Sequence, residues 1–191
     1  MNVIAVPPER IDLDADTYLR WLRVGDAEAV ARAVDESLDH LKPWMPWADT
    51  QSTDVTFQRN RLRQQSQQRE RTEEWQYGLF RVADELLLGS FGLMTRRGPG
   101  TLEIGYWLHP DVGGRGYATN SARALTTIGR RVRSIKQLII VCDEANTRSA
   151  AIPQRIGYTL QRVESRTPEA SGETGRMQIW VFEGSTPTAT R

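Results

Sequence analysis

Apolar residues recur along this chain with two different spacings, and each spacing predicts a different kind of element. Short runs rich in apolar and aromatic side chains, bounded by turn residues, are typical of strands, whereas apolar residues at every third or fourth position are typical of a helix with one buried face. The runs predict strands at residues 17–24, 75–83, 86–94, 101–108, 137–143, 157–165 and 177–183. The helical spacing and its caps predict helices at residues 26–41, 54–74, 116–132 and 149–156.

The order of these elements predicts a mixed sheet. The strands between residues 75 and 108 follow one another through short turns, which indicates an antiparallel meander. The apolar run at 137–143 is typical of a central buried strand, and the helix that precedes it makes part of the sheet parallel. We therefore expect an α/β fold with helices on both faces of the sheet.

Length, charge and cysteine content narrow the class of protein. A chain of 191 residues suits one domain, which we place at residues 1–184 with an N-terminal extension at 1–16 and a disordered tail at 185–191. The net charge of +1 gives no long-range field for nucleic acid or a membrane surface, so neither is expected as a partner. A single cysteine, no signal-peptide pattern and no apolar run of membrane length predict a cytoplasmic protein.

The segment from His109 to Thr119 carries the most specific chemistry. Its three glycines let the backbone approach a ligand closely, and the first amides of the following helix have no partners within the helix. Together with the helix dipole they form an anion site that suits a diphosphate. A plain turn is the alternative. The segment fits neither the P-loop, which needs a lysine, nor the dinucleotide fingerprint of a Rossmann fold.

The same segment resembles the acetyl-CoA signature of the GNAT acetyltransferase superfamily, Arg/Gln-x-x-Gly-x-Gly/Ala. Gly116 and Ala118 match its last two fixed positions, and Gly113 stands where the signature has Arg or Gln. Residues 146–158 resemble the family's second pattern, Asn-x-x-Ser/Ala followed by Lys/Arg-Leu-Gly-Phe/Tyr. The chain is thus similar to GNAT enzymes in two segments with matching order and spacing.

Two further segments resemble one branch of that superfamily, the ribosomal-protein N-acetyltransferases of the RimJ/RimL type. They are Leu-Lys-Pro-Trp-Met-Pro-Trp at 41–47 and Leu-Glu-Ile-Gly-Tyr-Trp-Leu at 102–108. The whole resemblance covers roughly residues 17–183. It implies an N-acyltransferase that moves an acetyl group from acetyl-CoA to a primary amine. The acceptor and the length of the acyl chain stay open, and succinyl-CoA is an alternative donor.

The resemblance also implies where coenzyme A would bind. In this family two central parallel strands splay apart in a mostly antiparallel sheet, and the pantetheine arm lies in the gap. It implies backbone contacts to this arm near Trp107, Leu108 and His109, and a side-chain contact from Asn146, whose alternative role is to cap a helix. The diphosphate would lie on the backbone of Gly113, Gly114, Arg115, Gly116, Tyr117, Ala118 and Thr119.

Two residues are candidates for catalysis. Glu103 is the first candidate for the base that deprotonates the amine, with an arginine ion pair as its structural alternative and Asp111 as a weaker candidate. Many relatives supply a tyrosine to protonate the leaving thiolate, but this chain has Pro153 at that position. Ser149 is the substitute that we predict, although it can equally cap the short helix.

Other features allow more than one interpretation. Trp44 and Trp47, stiffened by prolines, are predicted to line the acceptor pocket, or else to fill a core or a dimer contact, and a homodimer is left open. The arginines of 59–71 are expected to form a solvated face, with RNA as the minor alternative. Histidine and cysteine lack the spacing of a metal site, so no metal is expected. A coenzyme A sensor without turnover is the alternative to an enzyme.

Overall fold

The computed structural model describes residues 4–183, and its strands form one sheet. The predicted tail, residue 184 and the first three residues of the predicted extension lie outside the described residues. The strands are β1 (Arg10–Asp12), β2 (Thr17–Trp21), β3 (Glu74–Arg81), β4 (Leu87–Met94), β5 (Thr101–Leu108), β6 (Gln137–Asp143), β7 (Thr159–Ser165) and β8 (Arg176–Phe182). The α-helices are α1 (Ala27–Glu36), α2 (Leu38–Leu41), α3 (Val55–Glu70), α4 (Tyr117–Gly129) and α5 (Thr147–Arg155).

The sheet has the spatial order β1-β2-β3-β4-β5-β6-β8-β7. Every neighbouring pair is antiparallel except β5 and β6, which are parallel and are joined through α4. The mixed, mostly antiparallel sheet and the meander β3-β4-β5 are thus confirmed. The crossover puts the one parallel pair at the centre of the sheet.

Helices cover both faces, as predicted. On one face α1 and α3 bury Val30, Val34 and Leu62 against side chains of β2–β5. On the other face α4 buries Ala122 and Leu125, and the end of α4 comes very close to β6. A Cβ atom at Gly129 would lie 2.5 Å from a Leu138 methyl group, so only glycine permits this approach.

The N-terminal part of the sheet differs from the prediction. Residues 10–12, which the sequence placed in an extension, form the edge strand β1 and pair with β2. The side chains of β1 are largely exposed and polar, so this strand has no apolar run from which it could be predicted. Asp26 precedes α1 but its side chain does not cap the helix, because its carboxylate binds Arg20 with contacts of 2.7 and 2.8 Å.

Candidate active site

The two parallel strands at the centre of the sheet separate after a short paired stretch. Their pairing register ends at Glu103 and Ile139, although β5 continues to Leu108 and β6 to Asp143. The outer parts of both strands line one cavity of about 500 Å³. The splay that the resemblance implied is therefore present, and it opens a gap where backbone groups of β5 lack a neighbouring strand.

The hydrogen bonds of β5 decide which of its backbone groups face this gap. The N–H of His109 donates to the carbonyl of Leu88 at 2.8 Å, on the β4 side. Because opposed residues of an antiparallel ladder alternate between bonded and non-bonded pairs, Trp107 also bonds towards β4, and Leu108 and Tyr106 point towards β6. Of the three residues predicted to make backbone contacts, only Leu108 has backbone groups that face the gap. The backbone groups of Trp107 and His109 are used in hydrogen bonds to β4.

The glycine-rich segment lies in an exposed loop directly before α4. Gly114 and Gly116 have φ angles of 76° and 82°, a region that strains any residue with a Cβ atom. Gly116, at which the sequence predicted the helix to begin, is the N-cap of α4, and residues 113–116 are exposed, Arg115 among them. The glycines thus turn the chain sharply so that the helix begins at the surface.

The first amides of α4 are open to a ligand. The first bond within this helix runs from the N–H of Asn120 to the carbonyl of Gly116 at 2.9 Å, which leaves the amides of Tyr117, Ala118 and Thr119 outside the helical pattern. No side chain within residues 4–183 caps this end of the helix. Such an end attracts an anion through free donors and the helix dipole.

Helix α5 has Asn146 as its N-cap and so begins earlier than the sequence predicted. The side-chain oxygen of Asn146 accepts a hydrogen bond from the N–H of Ser149 at 3.1 Å and so caps the helix. The capping alternative for Ser149 is therefore wrong, and its hydroxyl is not used for a cap. The alternative role of Asn146, capping the helix, is present. Asn146 and Ser149 also line the cavity.

Pro153 lies inside α5 and changes what Ser149 can bind. A proline has no N–H, so the carbonyl four residues earlier, that of Ser149, loses its helical donor. The hydroxyl of Tyr106 supplies a donor instead, at 3.2 Å from that carbonyl oxygen. The hydroxyl of Ser149 in turn lies 3.3 Å from the Tyr106 oxygen. Burial raises the pKa of Tyr106, so its phenol stays protonated at neutral pH.

Glu103 lies on β5 where the gap begins, and its side chain is only 3% exposed. Its carboxylate binds Arg97 at 2.8 Å and Arg96 through both oxygens. Burial by itself would raise the pKa of Glu103, but the two guanidinium groups outweigh burial and hold it below its usual value. The structural alternative, an ion pair with arginine, is thus present, and Glu103 is a weaker proton acceptor than an ordinary glutamate.

Trp44 and Trp47 stand in the wall of the same cavity, on the α1 and α3 face. The ring of Trp47 lies 6.3 Å from the ring of Trp107 of β5, so together they form a broad apolar surface. The loop between β7 and β8 contacts residues 43–47, here called the tryptophan loop. The N–H of Gly172 donates a hydrogen bond to the carbonyl of Pro43 at 2.9 Å. The weaker base candidate, Asp111, is instead exposed and lies beside His109.

Sequence reasoning missed three contributors to this cavity. Tyr106 occupies a strand position that is typical of a core residue, and its contact with Ser149 joins residues 43 positions apart in the chain. Arg61 belongs to a helix whose composition is typical of a solvated face, yet it lines the cavity. The polar segment after β7 gave no signal, although its residues Arg166 and Glu173 also stand in the wall.

Two negative findings concern the part of the chain that the structure describes. Across residues 4–183 no helix has the length and apolar content to cross a membrane. Within the same range no three histidine, cysteine, aspartate or glutamate side chains cluster as metal ligands would. Cys142 is buried, and burial raises the pKa of its thiol to about 11.

Comparison with known proteins identifies the family. The family model "Acetyltransferase (GNAT) domain" matches residues 16–159. A Bacillus subtilis (strain 168) protein with the provisional name ribosomal N-acetyltransferase YdaF is 26% identical over 145 residues, which is 73% of this chain and 76% of that protein.

Solved structures share the fold. RimL, a ribosomal L7/L12 alpha-N-protein acetyltransferase in complex with coenzyme A, superimposes with a TM-score of 0.82 at 20% identity, over 92% of this chain and 98% of that chain. The microcin C7 self-immunity acetyltransferase MccE, in complex with acetyl-CoA and AMP, gives 0.83 at 19% identity, over 94% and 98%. The match over most of the sequence and the splayed sheet with its open helix end agree, and the chain therefore belongs to the GNAT family of acetyltransferases, which use acetyl-CoA.

Proposed function

We propose that this protein transfers the acetyl group of acetyl-CoA to a primary amine by direct attack within a ternary complex. The observation that carries the proposal is the gap between β5 and β6. One cavity is lined by strand residues of this gap and by the tryptophan loop, so a thioester in the gap and an amine in the cavity would meet. No covalent acyl-enzyme is needed in this arrangement.

The donor would be held largely by backbone groups. The open amides of Tyr117, Ala118 and Thr119, with the exposed turn at 113–116, suit the diphosphate. The backbone of Tyr106 and Leu108 faces the gap and suits the amide groups of the pantetheine arm. The side-chain nitrogen of Asn146 is a further donor, because only its oxygen is used by the cap.

The leaving group would be stabilised by Ser149 and Tyr106. When the amine nitrogen bonds to the carbonyl carbon, the carbon–sulfur bond breaks and the sulfur takes up negative charge. The Ser149 hydroxyl can turn from the tyrosine towards the sulfur and donate its proton there. Tyr106, which is held at the Ser149 carbonyl and stays protonated, can donate to the serine oxygen in exchange.

The amine loses one proton to water before attack and a second one after it, and the second balances the proton that the sulfur takes up. The ion pair with Arg96 and Arg97 favours a positioning role for Glu103 in this step. It holds the start of the gap in place, and a base role for Glu103 would need water to carry the proton. The amine itself would enter between the tryptophan loop and β5.

The acceptor class follows from the relatives only in outline. RimL acts on the α-amino group of a ribosomal protein, according to its name, so a protein N-terminus is one candidate acceptor. Small-molecule amines are the other, because the cavity of about 500 Å³ is the size of a small-ligand pocket.

Thiol release tests the proposal. We expect free thiol to appear when acetyl-CoA and a panel of amines and N-terminal peptides are mixed with the protein, and not without the amine. Succinyl-CoA in parallel tests the donor. Binding of acetyl-CoA without release of thiol with any acceptor would favour a sensor instead of an enzyme.

A further inference from the structure

The arginines of α3 do not share one face. Arg63 is exposed, as is Arg71 directly after the helix, whereas Arg69 lies over the ring of Trp21 with its Cζ atom 4.8 Å from the ring centroid. Arg61 points the other way, into the wall of the active-site cavity. The solvated face that the sequence predicted for the segment is therefore divided, and Arg61 needs an explanation of its own.

Arg61 is a half-buried cation without a carboxylate partner among residues 4–183. Its Cζ atom lies 5.1 Å from the ring centroid of Trp47, and its nearest hydrogen-bond acceptor, Gln58 Oε1, is 3.4 Å away, longer than a strong bond. Burial lowers the pKa of the guanidinium, and the charge of Glu74 opposes this effect. The side chain thus carries a desolvation cost that no anion of the described chain offsets directly.

The other arginines of the cavity wall all form ion pairs. Arg96 and Arg97 share Glu103, and Arg166 binds Glu169 and Glu173. Glu74, the carboxylate whose charge acts on Arg61, forms no ion pair with any residue of 4–183 and accepts a hydrogen bond from the Gln76 side chain. Among the described residues, Arg61 is therefore the arginine of the wall that has no ion pair and is left to a ligand.

We propose that Arg61 is a binding site for an anionic oxygen group, a carboxylate or a phosphate, on the acceptor amine. The inference rests on the proposed function and narrows its substrate class to amines that carry such a group. A guanidinium matches both groups with paired hydrogen bonds. Trp47, which lies near both Arg61 and Trp107 in the cavity wall, gives the acceptor an apolar contact. The carboxylate of Glu74, also in the cavity wall, is suited to bind the ammonium group of the acceptor before that group loses its proton.

Matched pairs of acceptors test the site. β-Alanine is compared with propylamine, and O-phosphoethanolamine with ethanolamine, in wild type, Arg61→Gln and Arg61→Lys. We expect wild type to prefer at least one anionic member by about tenfold to a hundredfold in kcat/KM, as for a hydrogen-bonded charge. Arg61→Gln should abolish this preference and leave the KM for acetyl-CoA unchanged, and Arg61→Lys should restore part of it. Arg63→Gln, an exposed change on the same helix, should have no effect.

A binding measurement separates this inference from the proposed function. Tryptophan fluorescence of the whole protein is titrated with β-alanine, O-phosphoethanolamine and inorganic phosphate, since Trp47 lies beside Arg61. Saturable binding that Arg61→Gln removes supports the site even without turnover. Turnover with equal preference for charged and neutral amines, or equal losses for both in Arg61→Gln, overturns the site and leaves the acetyltransferase intact. If neither binding nor turnover is found, both fail.

Discussion

At the scale of single residues, the proposed mechanism depends on the contact between Ser149 and Tyr106, which would stabilise the leaving thiolate. The hydroxyl of Ser149 does not cap α5, because Asn146 does so. The hydroxyl of Tyr106 donates a hydrogen bond to the carbonyl of Ser149. A serine alone is a weak acid, and a buried protonated phenol at 3.3 Å gives it a proton source. The pair can therefore replace the single tyrosine that many relatives use.

We predict that Ser149→Ala lowers kcat by roughly a hundredfold, and that Tyr106→Phe lowers it by about tenfold. The double variant should be no worse than Ser149→Ala, because the two residues act in one chain of hydrogen bonds. Steady-state kinetics across several pH values measures this, with acetyl-CoA affinity as the control for folding. Additive losses would contradict the shared role.

Glu103 is a second residue whose environment defines its role. Its carboxylate is buried and its pKa is lowered, whereas the side chains of Arg96 and Arg97 are 61% and 39% exposed. Removing the carboxylate leaves two arginines that water can still reach. The loss of stability should then be smaller than the ~3–5 kcal/mol of a fully buried pair.

We predict that Glu103→Gln lowers the free energy of unfolding by about 1–2 kcal/mol. Because the pKa of Glu103 is lower in the folded chain than in the unfolded one, its contribution is complete above about pH 4.3 and is lost as the pH falls through the folded-state value. Urea unfolding should therefore show the two proteins converging in acid. A fall in kcat of about a hundredfold at neutral pH, with unchanged stability, would restore the base role.

At the scale of elements, α5 lacks one helical hydrogen bond and has a side-chain hydrogen bond in its place. Pro153 removes the amide that would bind the Ser149 carbonyl, and the hydroxyl of Tyr106 takes its place. The helix thus loses a backbone bond inside its length and gains a link to β5 across the gap.

We predict that Pro153→Ala stabilises the protein by about 0.5–1.5 kcal/mol, because a new amide can bind the Ser149 carbonyl, and that it lowers kcat by displacing Tyr106. Thermal unfolding and kcat measure the two effects. In a Tyr106→Phe background the substitution should leave kcat unchanged. An increase in kcat in wild type would show that the tyrosine contact is not productive.

The loop before α4 is the other element on which the proposed binding of acetyl-CoA depends. Gly116 has a φ of 82°, and no atom lies within 4 Å of the position that a Cβ would take, so alanine there is strained and not blocked. Gly98, in the turn before β5, has a φ of 95° and equally open surroundings. The two positions impose the same kind of strain in different places.

We predict that Gly116→Ala raises the Kd for acetyl-CoA about tenfold, as a strain of ~1–2 kcal/mol turns the loop away from its binding shape. Gly98→Ala is the matched control and should affect stability but not the Kd. Calorimetric titration measures both. Equal Kd values for the two variants would mean that the loop does not hold the diphosphate.

At the scale of the whole molecule, the acceptor side is closed by two loops that are distant in sequence. Gly172 of the loop between β7 and β8 bonds to Pro43, which precedes the two tryptophans. A Cβ atom at Gly172 would lie 2.7 Å from the Pro43 carbonyl oxygen, so the loops cannot stay in place with a larger residue there.

We predict that Gly172→Val raises the KM for the amine about tenfold and leaves the KM for acetyl-CoA unchanged, because the displaced loop carries Trp44 and Trp47 but no part of the donor site. The exposed neighbour Ser171 offers the control, as Ser171→Val should change neither value. Equal changes in both KM values would instead indicate a general loss of structure.

The local pattern of the sequence was enough for most of the fold. Periodicity located β2–β8, and the glycines located the start of α4, because these signals depend on neighbouring residues. The local pattern did not predict β1, a short polar edge strand that forms through its pairing with β2. It also predicted a later start for α5 than the structure shows. The sequence could not indicate that the backbone groups of Trp107 and His109 face β4, because the direction of a backbone group depends on the register with that strand.

The sequence by itself determined the order of strands and helices, the strained turn before α4, and the family pattern that points to acetyl-CoA. Only the tertiary structure decided which side chains meet: Tyr106 with Ser149, Glu103 with two arginines, and Arg61 with the cavity. The physical reason is that dihedral preferences and apolar periodicity act between neighbours in the chain. Charge pairing and hydrogen bonding in a cavity act between groups that only folding brings together.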